Sequence, residues 1–512
     1  MRSLATALLA VAAALALALP ALAVDRSLGA DVPKPTASGD AWTEAEITAL
    51  VADIEGMLAG SATLQHAHVG LLAVDARDGR VLYEHNADDA FQPASTLKLV
   101  TGSAALDTLG PTFRFRTQAA TESVIDKGFL HNSLWLYGTG DVLLDRTAFA
   151  TLPAAVRAAK IKQIEFDVLP DPDDVPVYPP GWAVDDMPWS YAAPVAALGF
   201  ADDEVTLAIR PGARAGAPVA TNLAPAGTTA DNTHVCVPEL GMCVVVTATT
   251  GAKGSASTLE ARVSLNGPYE IDVTGTIAVG APPQSLSLAA LHPPLFAAAA
   301  AHRALVNSGI AVLRQEPVPT LRKVDYRAPR KVIWTHYSEA LGDLLADTWI
   351  PSDNLLAESL LHALGAKPPA LRGTDAAGIA VEKAWLAQLG IDPSTVAIED
   401  GSGLSAYDRI TPRDIVTVLR HDWDGPYHDV VLDALPISGV RGTLRSAFTG
   451  TPAERRVFAK TGTVTHASAL AGYIATARHG AVIFAFNVDD SLGAAGDLRE
   501  LRGRVLSRIV GN

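Results

Sequence analysis

Three short runs in the chain carry residue types that do chemistry. The first is Ser95-Thr96-Leu97-Lys98. A serine and a lysine three apart on a helix share one face and lie within reach of each other. A serine hydroxyl is a poor nucleophile until a base takes its proton. A lysine amine is such a base only when burial or a nearby cation lowers its pKa from about 10.4 towards neutrality. A place near a helix N-terminus also favours developing negative charge. No other lysine in the chain follows a serine by three positions. The second run is Ser352-Asp353-Asn354, ahead of an apolar stretch. Its hydroxyl can relay a proton and its amide can bind a carbonyl. The third is Lys460-Thr461-Gly462-Thr463, at the end of a predicted strand. Lysine and threonine can hold a carboxylate, and glycine clears the strand edge for a ligand. Each run alone also has an ordinary reading: a serine N-cap with a surface lysine, a helix cap, and a strand ending in a turn.

The elements that must position these runs are legible as hydrophobic periods. Ile47, Val51, Ile54 and Leu58 recur at helical spacing and predict a helix over Thr43 to Leu58. Gly70 to Val74 and Val81 to Glu84 read as strands around the Asp78-Gly79 turn. Pro93 precedes a helix pattern from Ser95 to Leu106, and Leu355 to Leu364 is an apolar helix. Val457 to Ala459 leads into Lys460, and Leu470 to Thr476 pairs with Ala481 to Val488 around His479-Gly480. Leu498, Leu501, Val505 and Ile509 predict a terminal amphipathic helix. Between these ends, Thr112 to Asp325 reads as mostly β, with short Thr/Val-rich runs cut by Gly and Pro clusters and one Ala-rich helix over Pro294 to Ser308.

In this order, S-x-x-K, S-D-N and K-T-G are the signature of penicillin-binding proteins and class A β-lactamases. Longer segments extend the match: PASTLKLVT from Pro93 to Thr101, SDNLLAESLL from Ser352 to Leu361, DGSGLS from Asp400 to Ser405, LPISGVRGTLR from Leu435 to Arg445, and AKTGT from Ala459 to Thr463. Gly181-Trp182, Pro188 and Ala193-Pro194 resemble a stretch of the family's inserted region. The chain resembles the D-alanyl-D-alanine carboxypeptidase/endopeptidase family, the large low-molecular-mass penicillin-binding proteins with inserted domains. Ser352 lies 257 positions after Ser95, far more than in compact β-lactamases, so an insertion must separate them. The resemblance implies an α/β (α+β) fold: a serine β-lactamase/transpeptidase-like core of antiparallel sheet plus helices, with mostly-β inserted domains. The expected division is a signal peptide over 1–23, a discontinuous core over 41–111 and 326–512, and an inserted region over 112–325 in two nested subdomains.

By the same resemblance, Ser95 is the acylated nucleophile and Lys98 its base. Ser352 relays a proton to the leaving D-alanine nitrogen, with Lys460 a possible participant. Asn354 binds the donor peptide carbonyl, Lys460 and Thr461 hold the terminal carboxylate, and Gly462 keeps the strand edge open. The N–H groups of Ser95 and Thr463 form the oxyanion hole. The implied partners are peptidoglycan stem peptides and, as covalent inhibitors, β-lactam antibiotics. One departure is Ala406, where the family often has an arginine after the GSGLS segment. Val464 and Thr465 are candidates to line a side-chain pocket, and Asp141, Asp173 and Asp174 to pair its amine. His466 reads as packing rather than catalysis.

Composition bounds these readings. Forty Lys and Arg against 55 Asp and Glu give a net charge of −15, which argues against a phosphate-binding surface, so no nucleic acid partner is expected. There is no H-E-x-x-H, and two cysteines cannot build a cysteine-rich metal site, so neither metal nor cofactor is expected. Cys236 and Cys243 are either a local disulfide or two buried thiols. Arg2, the apolar stretch from Leu4 to Leu19, and Ala21-Leu22-Ala23 read as a secretory signal peptide cut after Ala23. The mature protein is then expected beyond the inner membrane, periplasmic or extracytoplasmic, with at most peripheral membrane association. The leading function is a peptidase of D-Ala-D-Ala ends or peptidoglycan crosslinks. The alternatives are a β-lactamase and a catalytically inactive cell-wall-binding scaffold.

Overall fold

The structure, a computed structural model, describes residues 25–224, 234–237, 242–265, 267, 269–313, 330–367 and 372–511. The expected signal peptide lies outside them. The described residues divide into two compact units, one over 25–115, 179–182 and 339–511, the other within 116–178 and 183–338.

The first unit is built on five antiparallel strands: β1 (His68–Asp75), β2 (Val81–His85), β3 (Val457–Val464), β4 (Ala467–Ala475) and β5 (Ala481–Asp489). Their order is β2-β1-β5-β4-β3, so both chain ends contribute and β3 is an edge strand. β5 is buried at eight consecutive positions, Ala481 to Val488, the pattern of a strand covered on both faces. Helices α1 (Glu44–Ala59) and α8 (Ala495–Val510) cover one face, with Leu50, Ile54, Leu58, Leu498, Leu501, Val505 and Ile509 in one core with Leu71, Phe484 and Phe486. A Thr43–Glu46 capping box starts α1. The predicted helix is present, but its buried stripe runs through Leu50 rather than Val51, which is 36% exposed. Ile54 and Leu58 lie in that core and Ile47 packs against it, so Val51 is the one predicted position that leaves the stripe, because the face that meets the sheet follows a spacing of four from Leu50.

The other helices form a lobe that carries two of the three motifs: α2 (Leu97–Leu109), α3 (Leu341–Trp349), α4 (Asn354–Gly365), α5 (Asp375–Gln388), α6 (Pro412–Asp424) and α7 (His428–Ala434). α2 is buried at every position from Leu97 to Leu106. Gly102 lets Trp349 pack onto it: a Cβ there would lie 2.6 Å from the Trp349 ring. The Trp349 indole N–H donates to the Lys98 carbonyl at 2.9 Å, which fixes α2 in depth.

The second unit is mostly β. One four-stranded sheet contains Arg116–Thr121, Leu134–Tyr137, Val168–Pro170 and Lys331–Tyr337, and a three-stranded sheet contains Glu204–Arg210, Ala220–Ala224 and Gln284–Ala289. The Ala-rich helix spans Pro293–Asn307. Two short helices, Arg146–Phe149 and Leu152–Ala158, lie where the sequence shows no helical period. Strand pairing sets Cys236 opposite Cys243, and Cys243 is disulfide-bonded. Among the described residues, no helix is long and apolar enough to cross a membrane, and no three His, Cys, Asp or Glu residues form a group able to hold a metal ion.

Candidate active site

Ser95 stands in a 3-10 turn, Ala94–Thr96, that runs directly into α2. Lys98 follows in the first helical turn, on the same face, and is fully buried. Its Nζ lies 3.0 Å from Ser95 Oγ, 2.5 Å from Asn354 Oδ1 and 2.8 Å from the Ser402 carbonyl. Burial lowers the Lys98 pKa to about 8, against an opposing pull from the charges of Asp400, Glu358, Asp353 and Asp408. The amine is thus oriented by two fixed acceptors and aimed at the serine with a reduced hold on its proton.

The Ser352-Asp353-Asn354 run combines a cap with a site. Asp353 is the N-cap of α4, and its carboxylate accepts from the Leu356 N–H at 2.9 Å. Ser352, at φ 72°, is in the left-handed region. Its hydroxyl accepts from Lys460 Nζ at 2.8 Å. Asn354, the first helical residue, is buried against Lys98. Lys460 is fully buried too, and donates to the Thr461 carbonyl at 2.7 Å. Burial pushes its pKa well below the usual lysine range, and the Lys98 charge acts in the same direction.

β3 presents the K-T-G run along an edge. The first part of that edge is capped: Ala459 N–H donates to the Pro436 carbonyl and Ser438 N–H to the Val457 carbonyl, both at 3.0 Å. Strand alternation then turns the backbone of Thr461 and Thr463 to the same side. A Cβ on Gly462 would lie 2.7 Å from the Pro93 carbonyl and 3.0 Å from the Ser95 nitrogen. Only glycine lets β3 come this close to the Ser95 turn. The run fills the second half of β3 and ends one residue before its last residue, Val464, at the strand's end as the sequence predicts.

The structure therefore gathers Ser95, Lys98, Ser352, Asn354, Lys460, Thr461, Gly462 and Thr463 into one place. It adds a contributor that side-chain motifs do not reveal. Asp400 is fully buried and accepts from Ser402 N–H (3.2 Å), Gly403 N–H (2.6 Å), Ser405 N–H (2.8 Å), Ser402 Oγ (3.1 Å) and the Trp182 indole (2.8 Å). Gly403, at φ 76°, packs so closely that a Cβ would meet the Ala94 carbonyl at 1.9 Å. Glu358 holds the Gly401 N–H at 3.0 and 3.1 Å, and burial, then the Asp400 charge, raises its pKa well above the carboxylate range. The DGSGLS segment is a structural turn that also delivers the Ser402 carbonyl to Lys98. Asp400→Ala strands five donors, several of them buried, and is expected to lower the unfolding free energy by more than about 3 kcal/mol in a urea titration.

Other candidates fall elsewhere. Ala406 N–H bonds the Gly181 carbonyl, and Arg409, three residues on, folds its guanidinium onto the Ala406 and Asp408 carbonyls at 3.0 and 2.6 Å. His466 is exposed in the β3–β4 turn, with its ring 3.4 Å from the Ser491 carbonyl, so it is not a packed core histidine. Val464 and Thr465 lie at the same end of β3. Asp141, Asp173 and Asp174 belong to the second unit. Asp174 is committed to the N–H groups of Ala197 and Leu198 at 2.8 Å each, a structural role. Burial pushes Asp141 up to about 7.

Comparison with known proteins agrees with this geometry. The model of the D-Ala-D-Ala carboxypeptidase 3 (S13) family matches residues 50–503. A D-alanyl-D-alanine carboxypeptidase of Actinomadura sp. (strain R39) is 30% identical over 460 residues, covering 87% of this chain and 81% of that protein. The crystal structure of penicillin binding protein 4 (dacB) from Haemophilus influenzae superposes with a TM-score of 0.77 at 23% identity, over 90% of this chain and 99% of that one. The same protein complexed with a novel β-lactam gives a TM-score of 0.72 at 23% identity and the same coverage. With the buried Lys98 amine at Ser95, a family model that matches residues 50–503 and a relative 30% identical over 81% of its own length, the protein belongs to the D-Ala-D-Ala carboxypeptidase 3 (S13) family and is a serine-type D-Ala-D-Ala carboxypeptidase.

Proposed function

We propose that this enzyme cleaves the terminal D-Ala-D-Ala bond of peptidoglycan stem peptides through an acyl-enzyme on Ser95. The observation that carries the reading is the fully buried Lys98 amine 3.0 Å from Ser95 Oγ. In its neutral form Lys98 takes the Ser95 proton as Oγ bonds to the carbonyl carbon of the penultimate D-alanine. The N–H groups of Ser95 and Thr463 receive the negative oxygen, a contribution of about 3–4 kcal/mol per donor in comparable sites. Asn354 orients the donor peptide. Ser352, bonded to Lys460, passes a proton to the departing D-alanine nitrogen as the C–N bond breaks. Lys460 and Thr461 attract the terminal carboxylate. Water then attacks the ester carbonyl and gives up a proton that restores the Ser352–Lys460 pair, and as the bond from carbon to Oγ breaks, protonated Lys98 returns to Ser95 the proton it took.

β-Lactams mimic the acyl-D-Ala-D-Ala end, and their ring carbonyl is expected to acylate Ser95 with slow release. The β-lactam complex of the Haemophilus relative supports this reading. The peptidoglycan substrate places the enzyme outside the cytoplasm, and we assign residues 1–23 to export. Two measurements test the proposal. Incubation with peptidoglycan fragments should yield products lighter by one alanine, and masses showing crosslink cleavage would add endopeptidase action. With a chromogenic cephalosporin the expected trace is a burst of about one equivalent followed by slow turnover; sustained rapid hydrolysis would identify a β-lactamase instead, and absence of both burst and alanine release a non-catalytic scaffold.

A further inference from the structure

The LPISGVRGTLR segment contains a residue that the mechanism above leaves unused. Gly442, at φ 66°, opens the short 3-10 turn Gly442–Leu444. A Cβ there would lie 2.6 Å from the Ile350 carbonyl, so the turn is pressed against the chain two residues before Ser352. Thr443 N–H bonds that same carbonyl at 3.2 Å. On its other side, the Thr443 hydroxyl accepts from Thr461 Oγ1 at 2.7 Å. Thr443 is exposed and Thr461 half-exposed, so both hydroxyls are accessible. Thr443 thus sits between the Ser352 turn and the K-T-G strand, and both of its backbone and side-chain contacts reach residues flanking the site.

Two adjacent hydroxyls carry two protons, and their mutual bond uses one. An arriving anion can take both. A carboxylate presents two oxygens at a spacing close to that between these hydroxyl oxygens, and charge-assisted bonds to it are stronger than the neutral bond they replace. No guanidinium is available from the neighbouring DGSGLS segment: Ala406 has no side-chain donor, and Arg409 is turned onto backbone carbonyls. From this geometry we infer that Thr443 is a carboxylate-binding residue that works with Thr461, each hydroxyl donating to one oxygen of the carboxylate on the leaving side of the scissile bond. The inference rests on the proposed peptidase reading and deepens it. It makes the enzyme selective for leaving groups that keep a free carboxylate next to the departing nitrogen.

The test compares an acyl-D-Ala-D-Ala peptide with its C-terminal primary amide, in the full-length wild-type enzyme and in Thr443→Val and Thr443→Ser variants, by chromatography of the released D-alanine or D-alaninamide. The wild type should favour the free acid. Thr443→Val keeps the shape and the backbone bond to Ile350, and should lose about tenfold or more in kcat/KM on the acid, mainly through KM, with less than about a twofold change on the amide. Thr443→Ser should restore the preference. Equal losses on both substrates would mean that Thr443 only supports the turn, and an undiminished acid preference in Thr443→Val would likewise overturn the inference. Failure of the wild type to release D-alanine at all would instead refute the peptidase reading on which it rests.

Discussion

Ser95→Ala is expected to abolish covalent labelling by fluorescent penicillin, to below about 1% of wild type on a denaturing gel, and to reduce D-alanine release by at least about a thousandfold. The size follows from the chemistry: without Oγ no ester can form, and what remains is binding and the oxyanion hole acting on an unassisted water. The protein should stay folded. The Ser95 side chain is half-exposed, and Lys98 keeps Asn354 Oδ1 and the Ser402 carbonyl when the serine oxygen is removed. An unchanged thermal midpoint with lost labelling therefore isolates the nucleophile. Label persisting in the variant, mapped by peptide mass to another residue such as Ser352, would remove Ser95 from the mechanism.

The motifs were legible because their chemistry lies within three or four consecutive residues. Ser95 and Lys98 share a face by helix geometry alone, and the structure places their polar atoms 3.0 Å apart. Ser352-Asp353-Asn354 was ambiguous for a physical reason: the same three residue types make good caps. The structure divides the work, with Asp353 capping α4 while Ser352 and Asn354 face the lysines. What escaped the sequence is backbone and long-range. The Ser402 carbonyl is positioned by Asp400, Gly403 and Trp182, which are spread over more than 200 residues, and a carbonyl has no residue signature. Thr443 meets Thr461 only after the chain has folded. α6 differs, because its signal is local. Thr411-Pro412-Arg413-Asp414 announces its start, and the structure shows the capping box there. Leu50 and Val51 are adjacent and both apolar, and only packing against the sheet puts Leu50 rather than Val51 in the buried stripe with Ile54 and Leu58.

Lys98→Met is the second change with a large expected effect, and its pH dependence tells base from scaffold. Methionine keeps an unbranched chain of similar length but has no nitrogen to accept the Ser95 proton. The acylation rate of penicillin should fall by about 10²–10⁴, the range for loss of a general base. In the wild type only the neutral amine can act. With its pKa near 8, about a tenth of Lys98 is neutral at pH 7 and about nine-tenths at pH 9, so acylation should rise roughly tenfold between them and then level off. The residual rate of Lys98→Met should lack that rise. Stability should move the other way. The native pKa is below the unfolded one, so the unfolded chain binds more protons between about pH 8 and 10.5, and native stability from this group increases with pH across that window. Below it, wild type carries a buried cation that the variant lacks. At pH 7 Lys98→Met should therefore unfold at no lower urea concentration than wild type while acylating far more slowly. A variant that lost both stability and acylation, or kept a rate rising through pH 8, would show that the lysine is a structural prop and that another group accepts the proton.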